Sequence, residues 1–154
     1  MTYYGGKEMA ASFRTVRDNT IKIAEEIPES KYDFRATPEV RSFAEQLIHA
    51  AGYANYVGEV AKGLRPPEQD PPRNNFKSKA DIVAYVRKAY ADGAKAIEAT
   101  SDAKLQSSID VGRWKPSLYG LWDSAVEHSG EHYGQLVVYY RLNKMVPPES
   151  RPKK

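Results

Sequence analysis

The sequence predicts an all-α protein, a bundle of four helices. Four long segments repeat apolar residues at intervals of three and four. Residues that start and stop helices bracket those segments, and no stretch alternates in the manner of a strand. The 154 residues amount to one domain's worth of chain, enough to bury one substantial core. We expect a single domain over residues 1–154, with a basic tail from about residue 145.

The first helix is expected from Lys7 to Ile27, on a stripe of Met9, Phe13, Val16, Ile21 and Ile23, with Pro28 ending it. A connector, PESKYDFRATPEV, leads to the second helix. Its Pro38 suits a first helical position and Thr37 a cap, so that helix is expected from Pro38 to about Lys62, with Gly63 as its stop. Phe43, Leu47, Ala50, Ala54, Val57 and Ala61 keep the helical spacing throughout. Next comes LRPPEQDPPRNNFK, whose two proline pairs exclude a helix or a central strand. Ser78-Lys79-Ala80-Asp81 resembles a capping box and opens a third helix to about Ala99, through Ile82, Tyr85, Val86, Ala89, Ala96 and Ile97. After the polar stretch TSDAKLQSSIDVGRWKP, Ser117 caps a fourth helix to about Asn143. MVPPESRPKK closes the chain.

Four amphipathic helices bury their apolar faces against one another as a bundle. The proline-rich linker is long for a hairpin. Its 14 residues span up to about 45 Å, whereas a helix of 24 residues is about 36 Å long. The expectation is a crossover that lets the second and third helices run parallel.

Composition narrows the function classes. Apolar and charged fractions are those of an ordinary globular protein. Without cysteine, a disulfide framework, a thiolate-ligated zinc and a cysteine nucleophile are excluded. The start has no apolar leader core and no run reaches the length of a membrane span, so the expectation is a cytoplasmic protein without membrane association. The net charge is only +3, with much of the excess in Arg141, Lys144, Arg151, Lys153 and Lys154, which reads as a frayed tail rather than a nucleic-acid arm. Eleven tyrosines against four phenylalanines point to a core or cavity whose rings end in hydroxyls that need polar partners.

The chemistry concentrates in EHSGEHYGQLVVYYRLN, residues 127–143. His128 and His132 stand four residues apart, so on a helix both imidazoles leave one face. They fall on the inward stripe of Leu118, Leu121, Ala125, Leu136 and Tyr139. Such a pair also arises by chance, and core histidines commonly just bond a carbonyl or a tyrosine. The third and last histidine, His49, lies near the middle of the second helix, beside Leu47 and Ala50. With these helix limits all three rings come to one depth of the bundle, whichever way the helices run. Three neutral imidazoles without a thiolate suit Zn²⁺, Ni²⁺ or Fe²⁺ better than Mg²⁺ or Ca²⁺. No fourth protein ligand is apparent, and open positions mark catalytic metal sites.

His49 within QLIHAAG, the His-x-x-x-His pair and the following Gly134-Gln135 with LVVYYRLNKMVPP resemble the DinB/YfiT-like superfamily of candidate metalloenzymes, as does YDFRATPEVRSFAEQLIHAAG (residues 32–52). The resemblance covers most of the chain. It implies a four-helix bundle, a three-histidine metal site at His49, His128 and His132, and a homodimer. Many relatives carry arginine where this chain has Tyr133, so the cation that would hold an anionic substrate group near the site is absent from that position. Characterised branches are similar to thiol transferases, which join a low-molecular-weight thiol to a small electrophile, or to thiol-dependent isomerases. With no cysteine of its own, this chain would take its thiol as a cosubstrate. Hydrolysis by a metal-activated water and non-catalytic binding of a metal or ligand in a stress response are the competing readings.

Other residues are ambiguous. Tyr53 and Tyr56 follow His49 by one and two turns and suit a cavity wall or the core equally. Gln135 suits an outer partner of a ligand. Glu127 and Glu131 point away from the stripe. Gly130 and Gly134 each cost about 1 kcal/mol against alanine inside a helix, and their spacing suggests close approach of another helix, within the bundle or across a dimer.

Overall fold

The computed structural model describes residues 5–66, 70–112 and 114–152. Four long helices form, at Gly6–Glu26 (α1), Phe43–Ala61 (α2), Lys79–Glu98 (α3) and Leu118–Leu142 (α5), with one short turn of helix at Asp102–Leu105 (α4). Among the described residues there is no sheet, only an isolated bridge between Ser108 and Ser117.

The helix starts are chemical events. Ser78 Oγ accepts from the amide of Asp81 at 3.2 Å, and the Asp81 carboxylate accepts from the amide of Ser78 at 3.0 Å. This is the capping box expected from the sequence. Ser117 caps α5 through the amide of Gly120 at 3.0 Å. Gly63 ends α2 with φ of 85°, a left-handed conformation suited to glycine.

The start of α2 departs from expectation. Thr37–Val40 is a turn, with Pro38 second in it and the amide of Val40 on the Thr37 carbonyl at 3.3 Å. The helix begins five residues later, where Ser42 and Glu45 form a reciprocal capping box. Its first amides, on Phe43 and Ala44, donate to the carbonyls of Phe34 and Tyr32 at 3.0 and 2.8 Å. The connector therefore satisfies donors that a helix start leaves open. Proline was compatible with either place, and the better cap won.

α2 packs beside α3 and α5, and α1 packs beside the same two helices. A Cβ on Gly52 would meet Tyr85, and one on Gly58 would meet Gly93. Contacts thus advance together along α2 and α3, which run parallel as the linker length predicted. Against α5 the order reverses: Phe43 packs by Tyr140, Gln46 by His132, and Tyr53 by Ser124. α2 and α5 are antiparallel.

Phe13, Tyr90 and Trp122 make the aromatic centre of the core, with Phe13 at 5.5 Å from Tyr90 and 5.6 Å from Trp122. The C-terminal stretch is docked, not frayed. Lys22 bonds Glu149 at 2.8 Å, and Arg151 pairs with Glu26 while donating to the Val146 carbonyl at 3.1 Å. Lys153 and Lys154 lie outside the described residues.

The two candidate caps of α2 separate by mutation. Ser42→Ala should lower unfolding stability by about 1 kcal/mol, whereas Thr37→Ala should leave it nearly unchanged. Equal losses in urea titrations would contradict a helix that begins at Phe43.

Candidate metal centre

His49 leaves α2 about two turns after its cap, and His128 and His132 leave the middle of the facing α5. The expected symmetry about the midpoint of α2 does not hold, because that helix starts late. Convergence comes instead from the antiparallel register. His128 Nε2 lies 3.2 Å from His49 Nε2 and 3.1 Å from His132 Nε2. Ring centroids stand 4.8, 4.6 and 4.2 Å apart for the pairs 49–128, 49–132 and 128–132. One nitrogen from each ring lies within 4.8 Å of the other two, and no fourth histidine or carboxylate joins the group among the described residues.

The outer nitrogens decide what these rings can hold. His49 Nδ1 faces Asp70 Oδ2 at 2.7 Å. A carboxylate only accepts, so the proton sits on Nδ1 and the Nε2 lone pair faces the cluster. Asp70 is seated against Gly52, where a Cβ would come within 2.9 Å of its Oδ1. Glycine at 52 makes the cradle for this carboxylate. Gln46, buried, contacts His132 Nδ1 and also the amide of Gln135. Gln46 Nε2 is the atom placed against His132 Nδ1, and it donates to Gln135 Oε1. A proton on Nδ1 requires both amides turned over, so that the Gln46 oxygen accepts from the ring and from Gln135. His128 Nδ1 is buried with no hydrogen-bond partner among the described residues. The Tyr53 ring covers that imidazole, with centroids 4.5 Å apart.

Burial disfavours the charged form of the two α5 rings. Burial pushes the His128 pKa down to about 4, aided by the nearby charges that His132 and His49 would carry. Burial also lowers His132, with His49 acting in the same direction. Neutral imidazoles with lone pairs directed at one point repel one another unless a cation lies between them. Nitrogens tetrahedrally bound at about 2.0–2.1 Å to one zinc-like ion stand about 3.3 Å apart, close to the two Nε2 separations here. The donor set fits a divalent transition ion.

The remaining candidates sort themselves. Tyr53 is at the site, its hydroxyl donating to Ser124 Oγ at 2.9 Å, since that serine gives its own proton to the Leu121 carbonyl. Tyr56 stacks on Tyr53 at 6.0 Å and lines a separate cavity of about 280 Å³ with Arg65 and Asp110. Gln135 reaches the cluster through Gln46. Glu127 and Glu131 are exposed. Tyr133 sits among the charges of Glu149 and Lys22, on the α1 side. Asp70, Gln46 and Gly52 were not singled out in the sequence. Asp70 was legible only as an acid set between the proline pairs of the linker, and Gln46 as a polar residue one turn before His49.

A family model described as the DinB superfamily matches residues 12–136. A DinB-like protein from Bacillus cereus is 16% identical with a TM-score of 0.76, over 96% of this chain and 98% of that one. Another from Bacillus subtilis is 20% identical with a TM-score of 0.77, over 95% and 99%. A Streptococcus pneumoniae protein is 20% identical with a TM-score of 0.68, over 95% and 94%. At such identities these likenesses establish the fold. No curated protein matches the chain.

Acid should loosen the metal-free protein. His128 protonates later in the folded than in the unfolded chain, so unfolding takes up protons as pH falls below 6.5. Stability should therefore drop between pH 6.5 and 5, and a His128→Gln variant should show a shallower drop. Identical slopes in urea titrations of the two chelator-treated proteins would contradict a buried neutral ring.

Proposed function

The chain belongs to the DinB superfamily, and from that premise we propose that it is a metal-dependent enzyme that transfers a low-molecular-weight thiol to an electrophilic small molecule. The observation that carries the reading is the convergence of three imidazoles with no fourth protein ligand among the described residues. His49, His128 and His132 would hold Zn²⁺, Ni²⁺ or Fe²⁺ and leave part of the coordination sphere open. A divalent ion bound there supplies Lewis acidity that brings the pKa of a thiol ligand into the neutral range.

The chain's own residues prepare that chemistry. Asp70 keeps the His49 proton on Nδ1, and Gln46 with Gln135 does the same for His132. Burial keeps His128 from protonating at neutral pH. Tyr53 shields one face of that ring from water. In the transfer, the sulfur of the thiol forms its bond to the electrophilic carbon as the leaving group departs with the bonding pair. The thiol proton passes to solvent. The protein supplies no sulfur, because it has no cysteine.

A homodimer is part of the same reading. Gly130 and Gly134 are exposed, and a Cβ at either would meet nothing within 4 Å. They therefore do not serve packing inside the bundle, as one alternative had it. Val138 and Leu142 continue their spacing and are 52% and 54% exposed. Small and apolar residues on one face suit a second copy of the chain. Light scattering at micromolar concentration should give twice the chain mass, and Gly134→Arg should reduce it to one. A monomer in the unaltered protein would refute this.

Loss of one ligand should be decisive for the metal. His128→Ala should abolish tight binding of one divalent ion per chain and thiol transfer, with helical circular dichroism unchanged. Asp70→Ala should weaken metal binding about 10–100-fold. Gly52→Ala, which displaces that carboxylate without removing a polar group, should act in the same direction. Full thiol-transfer activity in chelator-treated His128→Ala would exclude the metal from the reaction. Binding of metal with no thiol turnover would leave a binding protein.

A further inference from the structure

We propose that Arg41 is an anion-binding arm of the three-histidine centre, and that the site takes substrates carrying a carboxylate. This rests on the metal site proposed above and adds its substrate class. Two cavities, of about 390 and 610 Å³, share Glu39, Val40 and Arg41 as walls. The first extends to Asp70, the outer partner of His49. The second extends to Gln46 and Gln135, the outer partners of His132. Arg41 thus stands where both cavities reach the residues that back the imidazoles.

Among the described residues, its guanidinium is also the one available on this rim. Arg35 is committed to the Val40 carbonyl at 2.6 Å and to Glu45 at 2.8 Å. Arg73 is committed to Asp33 at 2.9 Å and to the Phe76 carbonyl at 2.8 Å. Arg41 has no side-chain hydrogen bond or ion pair among the described residues. Its backbone is nevertheless fixed, because its carbonyl accepts from Tyr139 Oη at 2.5 Å and the next residue caps α2. A held backbone with an unspent guanidinium is the arrangement expected of a ligand-binding arginine.

The acids beside it are engaged elsewhere. Glu39 is bonded by Thr37 within its own turn, Glu45 is bonded by Arg35, and Asp70 is bonded to His49. Across the first cavity three arginines face three carboxylates, so the rim as a whole is neutral. One uncommitted cation among the described residues of a neutral rim matches a single carboxylate better than a phosphate dianion.

Cobalt(II)-loaded protein gives a direct test, through the sulfur-to-cobalt absorption of bound thiol. 3-Mercaptopropionate and 2-mercaptoethanol differ chiefly in the carboxylate. The first should bind the unaltered protein about tenfold more tightly, as expected for a charge-assisted contact. Arg41→Gln should bring the two within about twofold, and Arg41→Lys should retain most of the preference. Equal affinities in the unaltered protein, or a preference that survives Arg41→Gln, would overturn the proposal. If neither thiol produces the absorption, the thiol reading fails by itself. Succinate then decides the role of Arg41: a visible spectrum moved in the unaltered protein but not in Arg41→Gln supports it, and one unmoved in both sinks it. Failure to take up cobalt would remove the site and the arm together.

Discussion

Three imidazole lone pairs directed at one point are the constraint on which the rest of this structure turns. Each ring has two nitrogens, and whichever lacks the proton faces the cluster. Holding the outer nitrogen in its protonated form is therefore as important as placing the ring. Asp70 does so for His49 with a charged acceptor, and Gln46 does so for His132 with a neutral amide. His128 has neither and relies on burial and the face of Tyr53. The three rings are therefore backed in three different ways.

Antiparallel packing of α2 on α5 places the rings, and tyrosines hold that packing in register. Tyr139 bonds the carbonyl of Arg41 just ahead of α2, and Tyr53 bonds Ser124 on α5. Tyr140 ties α5 to the Ile23 carbonyl of α1 at 2.9 Å, and Tyr90 ties α3 to Ser129 of α5 at 2.9 Å. Each ring fills core volume while its hydroxyl closes a directional bond between elements. The tyrosine-rich composition is thus a set of interhelical ties. Only Tyr53 among these touches the histidine cluster directly.

Residues whose neighbours lie close in sequence were the legible ones. The Ser78 capping box, the Gly63 stop and the helical spacing of His128 and His132 depend on partners three or four positions away. The convergence of His49 with that pair was also foreseen, although the depth argument for it used a helix start five residues too early. What escaped was long-range. Asp70 is 21 residues from His49 in sequence, and Gln46 is 86 from His132. Arg41 was hidden by the misplaced start of α2, which put it inside a helix. The docking of the C-terminal stretch escaped for the same reason, since Arg151 pairs with Glu26 at a separation of 125.

The crossover links topology to chemistry. Parallel α2 and α3 require the chain to return along the bundle before it can begin α3. That return path passes α2 on the side from which His49 projects. An acid at the right place on it meets the outer nitrogen of that histidine, provided the helix leaves room. Gly52, three residues beyond His49, leaves that room. The same path brings Pro71, Pro72 and Arg73 to the wall of the cavity that Arg41 shares. A short hairpin between antiparallel helices would bring none of these groups to the face of α2. The connection that makes this bundle's order possible therefore also builds the outer side of its histidine cluster.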